Sequence, residues 1–71
     1  MDAKWIGRRL TDLRGNKSRR KVSEETGISY SGLANYETGF RVPTDTHKII
    51  LARYYGVSVE DLFFTDDNHT K

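Results

Sequence analysis

Apolar side chains recur along this chain at intervals of three and four, in short bursts separated by polar residues and glycines. That is the helical period, and no stretch alternates long enough to predict a strand. Ile6, Leu10 and Leu13, with Trp5 beside them, predict a first helix capped at Asp2 and running to about Arg14, where Gly15-Asn16 ends it. Ser18 is placed to cap a second helix with Val22 and Ser23 turned inward, and Gly27 is suited to the positive φ that stops it. Ile28 then fills the corner, and Ser29 caps a third helix whose Leu33 and Tyr36 fall on one face. Thr38 to Pro43 reads as a loop, because Gly39 suits a helix end and Pro43 disfavours helix at the residue before it. Thr44 or Asp45 starts a fourth helix with Ile49, Ala52 and Tyr55 as its expected inward stripe, Leu51 flanking and Gly56 closing. Ser58 caps a short fifth helix that turns Val59, Leu62 and Phe63 inward. The pattern predicts an all-α domain over residues 1–64 and a polar, acidic tail over 65–71.

Composition narrows the picture. A chain of 71 residues has room for one small core, and with no cysteine its stability must come from helix packing rather than from disulfides or a thiolate metal site. The longest apolar run, Ile49 to Ala52, is far short of the ~20 residues that span a bilayer, and a soluble, cytoplasmic protein is expected. The two matches to the N-glycosylation pattern, Asn16-Lys17-Ser18 and Asn68-His69-Thr70, then carry no weight. Net charge is +2 but uneven: residues 1–43 hold nine basic against five acidic side chains, residues 44–71 three against five. The densest patch, Lys17 to Lys21, falls where the second helix begins. Cations there oppose the helix macrodipole, at about 0.3–1 kcal/mol each, and a polyanionic partner would give Lys17, Arg19 and Arg20 a reason to be there.

The second and third predicted helices, hinged at Gly27, form a helix-turn-helix, the device that lays its second helix in the DNA major groove. On that helix the positions left outside are Tyr30, Ser31, Gly32 and Asn35. Small side chains let a helix backbone approach another surface closely, and an asparagine amide can pair with N6 and N7 of adenine. Any surface helix also carries Ser and Asn, so the constellation, not Asn35 alone, makes the argument. Other chemistry is poorly supported: His47 and His69 are far apart and lack metal-ligand spacing, and no phosphate loop, nucleophile elbow or paired carboxylates occur. No enzyme, metal, cofactor or small-molecule ligand is expected.

Residues 6–64 resemble the Cro/repressor-type, or xenobiotic-response-element, helix-turn-helix family. The resemblance rests on Ile6-Gly-Arg-Arg-Leu-Thr-Asp-Leu-Arg14, Thr26-Gly-Ile-Ser29, Leu33-Ala-Asn-Tyr-Glu-Thr-Gly39, Pro43 and Leu51-Ala-Arg-Tyr-Tyr-Gly-Val-Ser-Val-Glu-Asp-Leu-Phe63. It implies a compact five-helix lambda-repressor-like bundle acting as a transcription regulator on double-stranded DNA, in a bacterial or phage-infected cell. It also implies base contacts from Tyr30, Ser31, Gly32 and Asn35, phosphate contacts from Arg19, Ser29, Thr38 and Arg41 with the backbone around Phe40, and a structural ion pair between Arg14 and Glu37. The sequence departs from the family pattern in a Leu13–Val22 turn about two residues shorter than usual, in Arg19 where glutamine is common, in Gly32 where a larger residue is usual, and in Lys48 where leucine is frequent. Lys48 implies either a slightly rotated fourth helix or a buried lysine stem. Members of the family dock as dimers on half-sites about one helical turn apart, so a homodimer on a palindromic operator is implied. With no separate oligomerisation domain expected, Ile50 and Phe64 are the candidate dimer contacts. The alternative is a protein-interaction module of the same fold, an antitoxin or anti-repressor, using Phe64, Ile50, Tyr54 and Trp5.

Overall fold

A computed structural model describes residues 2–63, and every helix in it starts at a side-chain oxygen that accepts a backbone N–H. Asp2 Oδ1 accepts from Lys4 and Trp5 at 3.0 and 3.3 Å, opening α1 (Ala3–Arg14). Ser18 Oγ accepts from Lys21 at 3.0 Å ahead of α2 (Arg19–Thr26), and Ser29 Oγ from Gly32 at 3.0 Å ahead of α3 (Tyr30–Thr38). Thr44 Oγ1 takes the His47 N–H at 3.2 Å before α4 (Asp45–Tyr55), and Ser58 Oγ the Asp61 N–H at 2.9 Å before α5 (Val59–Phe63). Each cap satisfies donors that the first turn leaves without a partner and contributes about 1 kcal/mol. Glycines close α1 to α4.

The helices surround one core built from every element: Ile6 and Leu10 of α1, Val22 of α2, Ile28 of the turn, Leu33 and Tyr36 of α3, Leu51 and Ala52 of α4, and Leu62 and Phe63 of α5. Fully burying an aliphatic or aromatic side chain of this kind contributes about 1.5–3 kcal/mol, the main force holding an uncrosslinked chain this small together. α1 packs most extensively on α3, and α2 lies against both α3 and α4. The five helices form the all-α bundle that the sequence predicts, with α2 and α3 as its helix-turn-helix.

The buried stripe of α4 differs from the one expected. Leu51 and Ala52 are buried and Tyr55 is half-buried, but Ile49 is 51% exposed. The reason is Lys48. Its side chain is only 14% exposed, with Nζ 5.7 Å from the centroid of the Phe63 ring, so its methylene stem completes a 48, 51, 52, 55 stripe at helical spacing. Ile49 is thereby turned to solvent, and Ile50 packs partly against the core. Phe64 and the expected tail lie outside the described residues.

Candidate nucleic-acid interface

Short-range hydrogen bonds lock the turn between α2 and α3. Ser23 Oγ donates to the Ile28 carbonyl at 2.6 Å, Thr26 Oγ1 donates to the Val22 carbonyl at 2.7 Å, and the same Thr26 oxygen accepts the Ile28 N–H at 3.2 Å. Gly27 between them sits at φ 80°, a conformation that costs residues with a Cβ about 1 kcal/mol or more. With Ile28 buried in the corner, the direction in which α3 leaves α2 is fixed.

α3 divides sharply into two faces. Leu33, Tyr36 and Glu37 are buried, whereas Ser29, Tyr30 and Ser31 are exposed and Gly32 and Asn35 half-buried. Ser31 and Asn35 lie one turn apart on the same side. The Asn35 carbonyl closes the helix by accepting N–H groups from Phe40 at 2.9 Å and Arg41 at 3.1 Å. Its side-chain amide has no such commitment: among the described residues it takes no hydrogen-bond partner. Because the Phe40 and Arg41 N–H groups are used inward, this loop turns outward its side chains, a 72% exposed Phe40 ring with the Arg41 guanidinium 5.8 Å from its centroid. Thr38, also exposed, leans back on the Asn35 carbonyl at 3.4 Å.

Behind α3 lies a buried carboxylate shared by two arginines. Glu37, its side chain 2% exposed, receives Arg14 Nε on Oε2 at 2.9 Å and Arg14 Nη2 on Oε1 at 3.0 Å, while Arg19 Nε donates to Oε1 at 2.8 Å. Arg14 Nη1 also donates to the Lys17 carbonyl at 2.9 Å, holding the turn between α1 and α2. One carboxylate thus ties three segments together. The Glu37 carboxylate, with a smaller contribution from the Tyr30 hydroxyl, pushes Arg19 above the ordinary arginine range. Two guanidinium groups against one carboxylate leave excess positive charge at the start of α2. Burial, assisted by the Glu37 charge, pushes the hydroxyl of nearby Tyr55 up to about 12. Tyr36 Oη and His47 Nδ1 share a hydrogen bond of 2.6 Å that links α3 to α4.

The rest of the basic patch is arranged unevenly. Arg20 is exposed. Lys17 is drawn toward α4: Nζ donates to Tyr54 Oη at 3.0 Å, lies 4.7 Å from that ring's centroid and 3.9 Å from Glu25. The Tyr54 hydroxyl donates in turn to Glu25, which also pairs with Lys21 at 3.5 Å. Tyr54 raises the Lys17 pKa and lowers that of Glu25, each with help from the opposite charge nearby.

The sequence model of the helix-turn-helix family matches residues 10–62, more than half of the chain. This chain belongs to that family. No curated protein and no solved structure matches it. As a helix-turn-helix protein of the XRE, lambda-repressor-like type, it is a DNA-binding regulator of transcription on double-stranded DNA, and the family is a regulatory rather than an enzymatic one. No helix among the described residues is long and apolar enough to cross a membrane.

One residue of this helix-turn-helix regulator, Gly7, went unassigned in the sequence, and another, Ile49, was assigned to the wrong face of its helix. A Cβ built on Gly7 would stand 2.4 Å from the Glu37 carbonyl oxygen and 2.7 Å from that of Tyr36, so α1 and the end of α3 touch backbone to backbone. Gly7 sits one residue after core Ile6 with nothing else to mark it, and only the three-dimensional crossing reveals its part. Ile49 was expected inward, and it faces solvent because the stem of Lys48 takes that place in the stripe.

Proposed function

We propose that this regulator recognises a specific operator by laying α3 along the major groove, Tyr30, Ser31, Gly32 and Asn35 facing base edges. The observation carrying this reading is the half-buried Asn35 amide, on a helix whose other side is buried and without a hydrogen-bond partner among the described residues. An unpaired amide on a rigid helix is prepared for bidentate pairing with adenine. Arg20, Ser29, Thr38 and Arg41 frame that face, and with Arg19 they are the proposed phosphate contacts. The backbone around Phe40 is not among them, because the Phe40 and Arg41 N–H groups are spent on the Asn35 carbonyl. Lys17 would first have to give up Tyr54 and Glu25. Docking as a homodimer on a palindromic site, half-sites one helical turn apart, would let the protein occupy a promoter as a phage or bacterial repressor does.

Selection of bound duplexes from a random pool tests the proposal directly, because it returns a consensus and its symmetry. On that consensus Asn35→Ala is expected to lose about 1–3 kcal/mol and to relax preference at one base position. Equal loss on consensus and random duplexes would remove Asn35 from the base readers. A pool that emerges without a consensus would remove operator recognition altogether. An antitoxin or anti-repressor role would instead give partner binding that scarcely responds to salt, whereas binding through several phosphates weakens by orders of magnitude between low and moderate salt.

A further inference from the structure

The first turn of α1 and the loop that closes α3 form one surface, and two of its side chains have no part in the operator reading above. Gly39 sits at φ 84° with its N–H on the Asn35 and Tyr36 carbonyls. A Cβ built there would stand 2.9 Å from Lys4 Cγ, 3.1 Å from Lys4 Cα and 3.4 Å from Lys4 N, so α1 and this loop touch backbone to backbone. The root of Lys4 is thereby held against the end of α3. Lys4 is exposed, and its ammonium takes no hydrogen bond or ion pair among the described residues. Arg8, exposed one turn further along α1, sets a like charge beside it, an arrangement that destabilises a helix. Next to Gly39 in the chain, the Phe40 ring is 72% exposed, with the Arg41 guanidinium 5.8 Å from its centroid. Arg41 is exposed too and pairs with no acid among the described residues.

We infer that Lys4, Phe40 and Arg41 together hold one strand of the duplex, the two cations on phosphates and the ring on the deoxyribose beside them. The argument is the match of chemistry. A nucleic-acid strand alternates charged phosphates with sugars whose carbon edges are apolar, and proteins use both to fix their register. An apolar protein partner would cover the ring but leave two cations desolvated without counter-charges, which is costly. A phosphodiester strand satisfies ring and cations at once. The Phe40 and Arg41 N–H groups are already engaged by the Asn35 carbonyl, at 2.9 and 3.1 Å, so this loop can meet a strand only through its side chains. The same two bonds tie the ring to the residue proposed to read adenine. The inference rests on the proposed docking of α3; it adds α1 to the docked surface and an apolar contact to the charged ones.

Fluorescence anisotropy titrations on a random-sequence duplex at several salt concentrations separate the two kinds of contact. Lys4→Met keeps the stem against Gly39 and removes only the charge, so it is expected to weaken binding by up to about 5-fold and to lower the salt slope by about one. Lys4→Arg is expected to restore both. Phe40→Ala removes no charge and is expected to weaken binding by about 5-fold with the slope unchanged. Arg53→Gln deletes the same unit of charge from the exposed surface of α4, outside the proposed contact, and its slope is expected to match the parent's. An unchanged slope in Lys4→Met, a loss no larger than that of Arg53→Gln, or full affinity in Phe40→Ala would each overturn the inference. The random duplex keeps this test apart from operator recognition. A selected pool without a consensus would end that reading while the Lys4 slope is still measured, and a chain that binds no duplex would end both. Lys4 and Phe40 are exposed, so the variants are expected to fold as the parent does, which circular dichroism verifies.

Discussion

Gly7→Ala sets two physical effects against each other. Within a helix, alanine is favoured over glycine by about 1 kcal/mol, so α1 taken alone predicts a more stable protein. Its packing predicts the reverse. The added Cβ would lie 2.4 Å from the Glu37 carbonyl oxygen, 2.7 Å from that of Tyr36 and 2.9 Å from the Glu37 carbonyl carbon. Restoring ordinary contact at 3.4 Å requires α1 and α3 to part by about 1 Å. Backbone atoms cannot turn aside as a side chain can, and this end of α3 is anchored by the two arginines on Glu37 and by the Gly39 N–H on the Tyr36 carbonyl at 3.3 Å. A gap of that size forfeits a quarter to a half of the dispersion energy of the contacts it opens, here those of Ile6 and Leu10. Overpacking in a well-filled core costs about 1–3 kcal/mol, and with immobile neighbours the upper end applies. The net expectation is a loss of about 2 kcal/mol, read as a fall of about 10 °C in Tm for a domain of this size. Urea and thermal unfolding followed by far-UV circular dichroism measure it. A variant as stable as the parent, or more so, would refute the backbone contact between α1 and α3.

Three further outcomes are expected. Glu37→Gln leaves Arg14 and Arg19 facing one another without the carboxylate they share; the pair is buried on one side and partly exposed on the other, so denaturant unfolding should show a loss of about 2–4 kcal/mol. Arg41→Ala should weaken binding to all DNA sequences alike and reduce the salt slope by about one, as measured by fluorescence anisotropy titrations at several ionic strengths, whereas a loss confined to one sequence would make Arg41 a base reader. Stability should fall as pH rises from about 10 toward 12, because Tyr55 of the unfolded chain ionises near 10 while burial holds the folded hydroxyl protonated to about 12. Below pH 10 this contribution is fully present, and Tyr55→Phe should remove that part of the alkaline decline.

The helix boundaries were legible because their determinants are local. Asp2, Ser18, Ser29, Thr44 and Ser58 each bond an N–H two or three residues ahead, and the glycines after α1 to α4 act within one turn. The core positions of α1, α2, α3 and α5 followed from periodicity for the same reason. What escaped depends on contacts remote in sequence. A buried stem was one of the two alternatives that Lys48 implied, but only its place against Phe63 decides between them, and the expected stripe of α4 meanwhile put Ile49 on the wrong face. Gly7 looked like any small residue until α3 crossed it. Lys17 read as part of an outward basic run, yet Tyr54, far along the chain, draws its ammonium aside. Arg19 read as a phosphate contact, and its bond to Glu37 adds a structural duty that its type alone does not announce.

The division of α3 into a buried face and an outward one separates two kinds of selection. Leu33, Tyr36 and Glu37 anchor the helix, while Tyr30, Ser31 and Asn35 contribute little to holding the bundle together. Under the proposed docking of α3, substitutions at these outer positions would change what is read and leave the scaffold's stability almost untouched. New target preferences are therefore open to this bundle through a handful of surface replacements, with no compensating change inside.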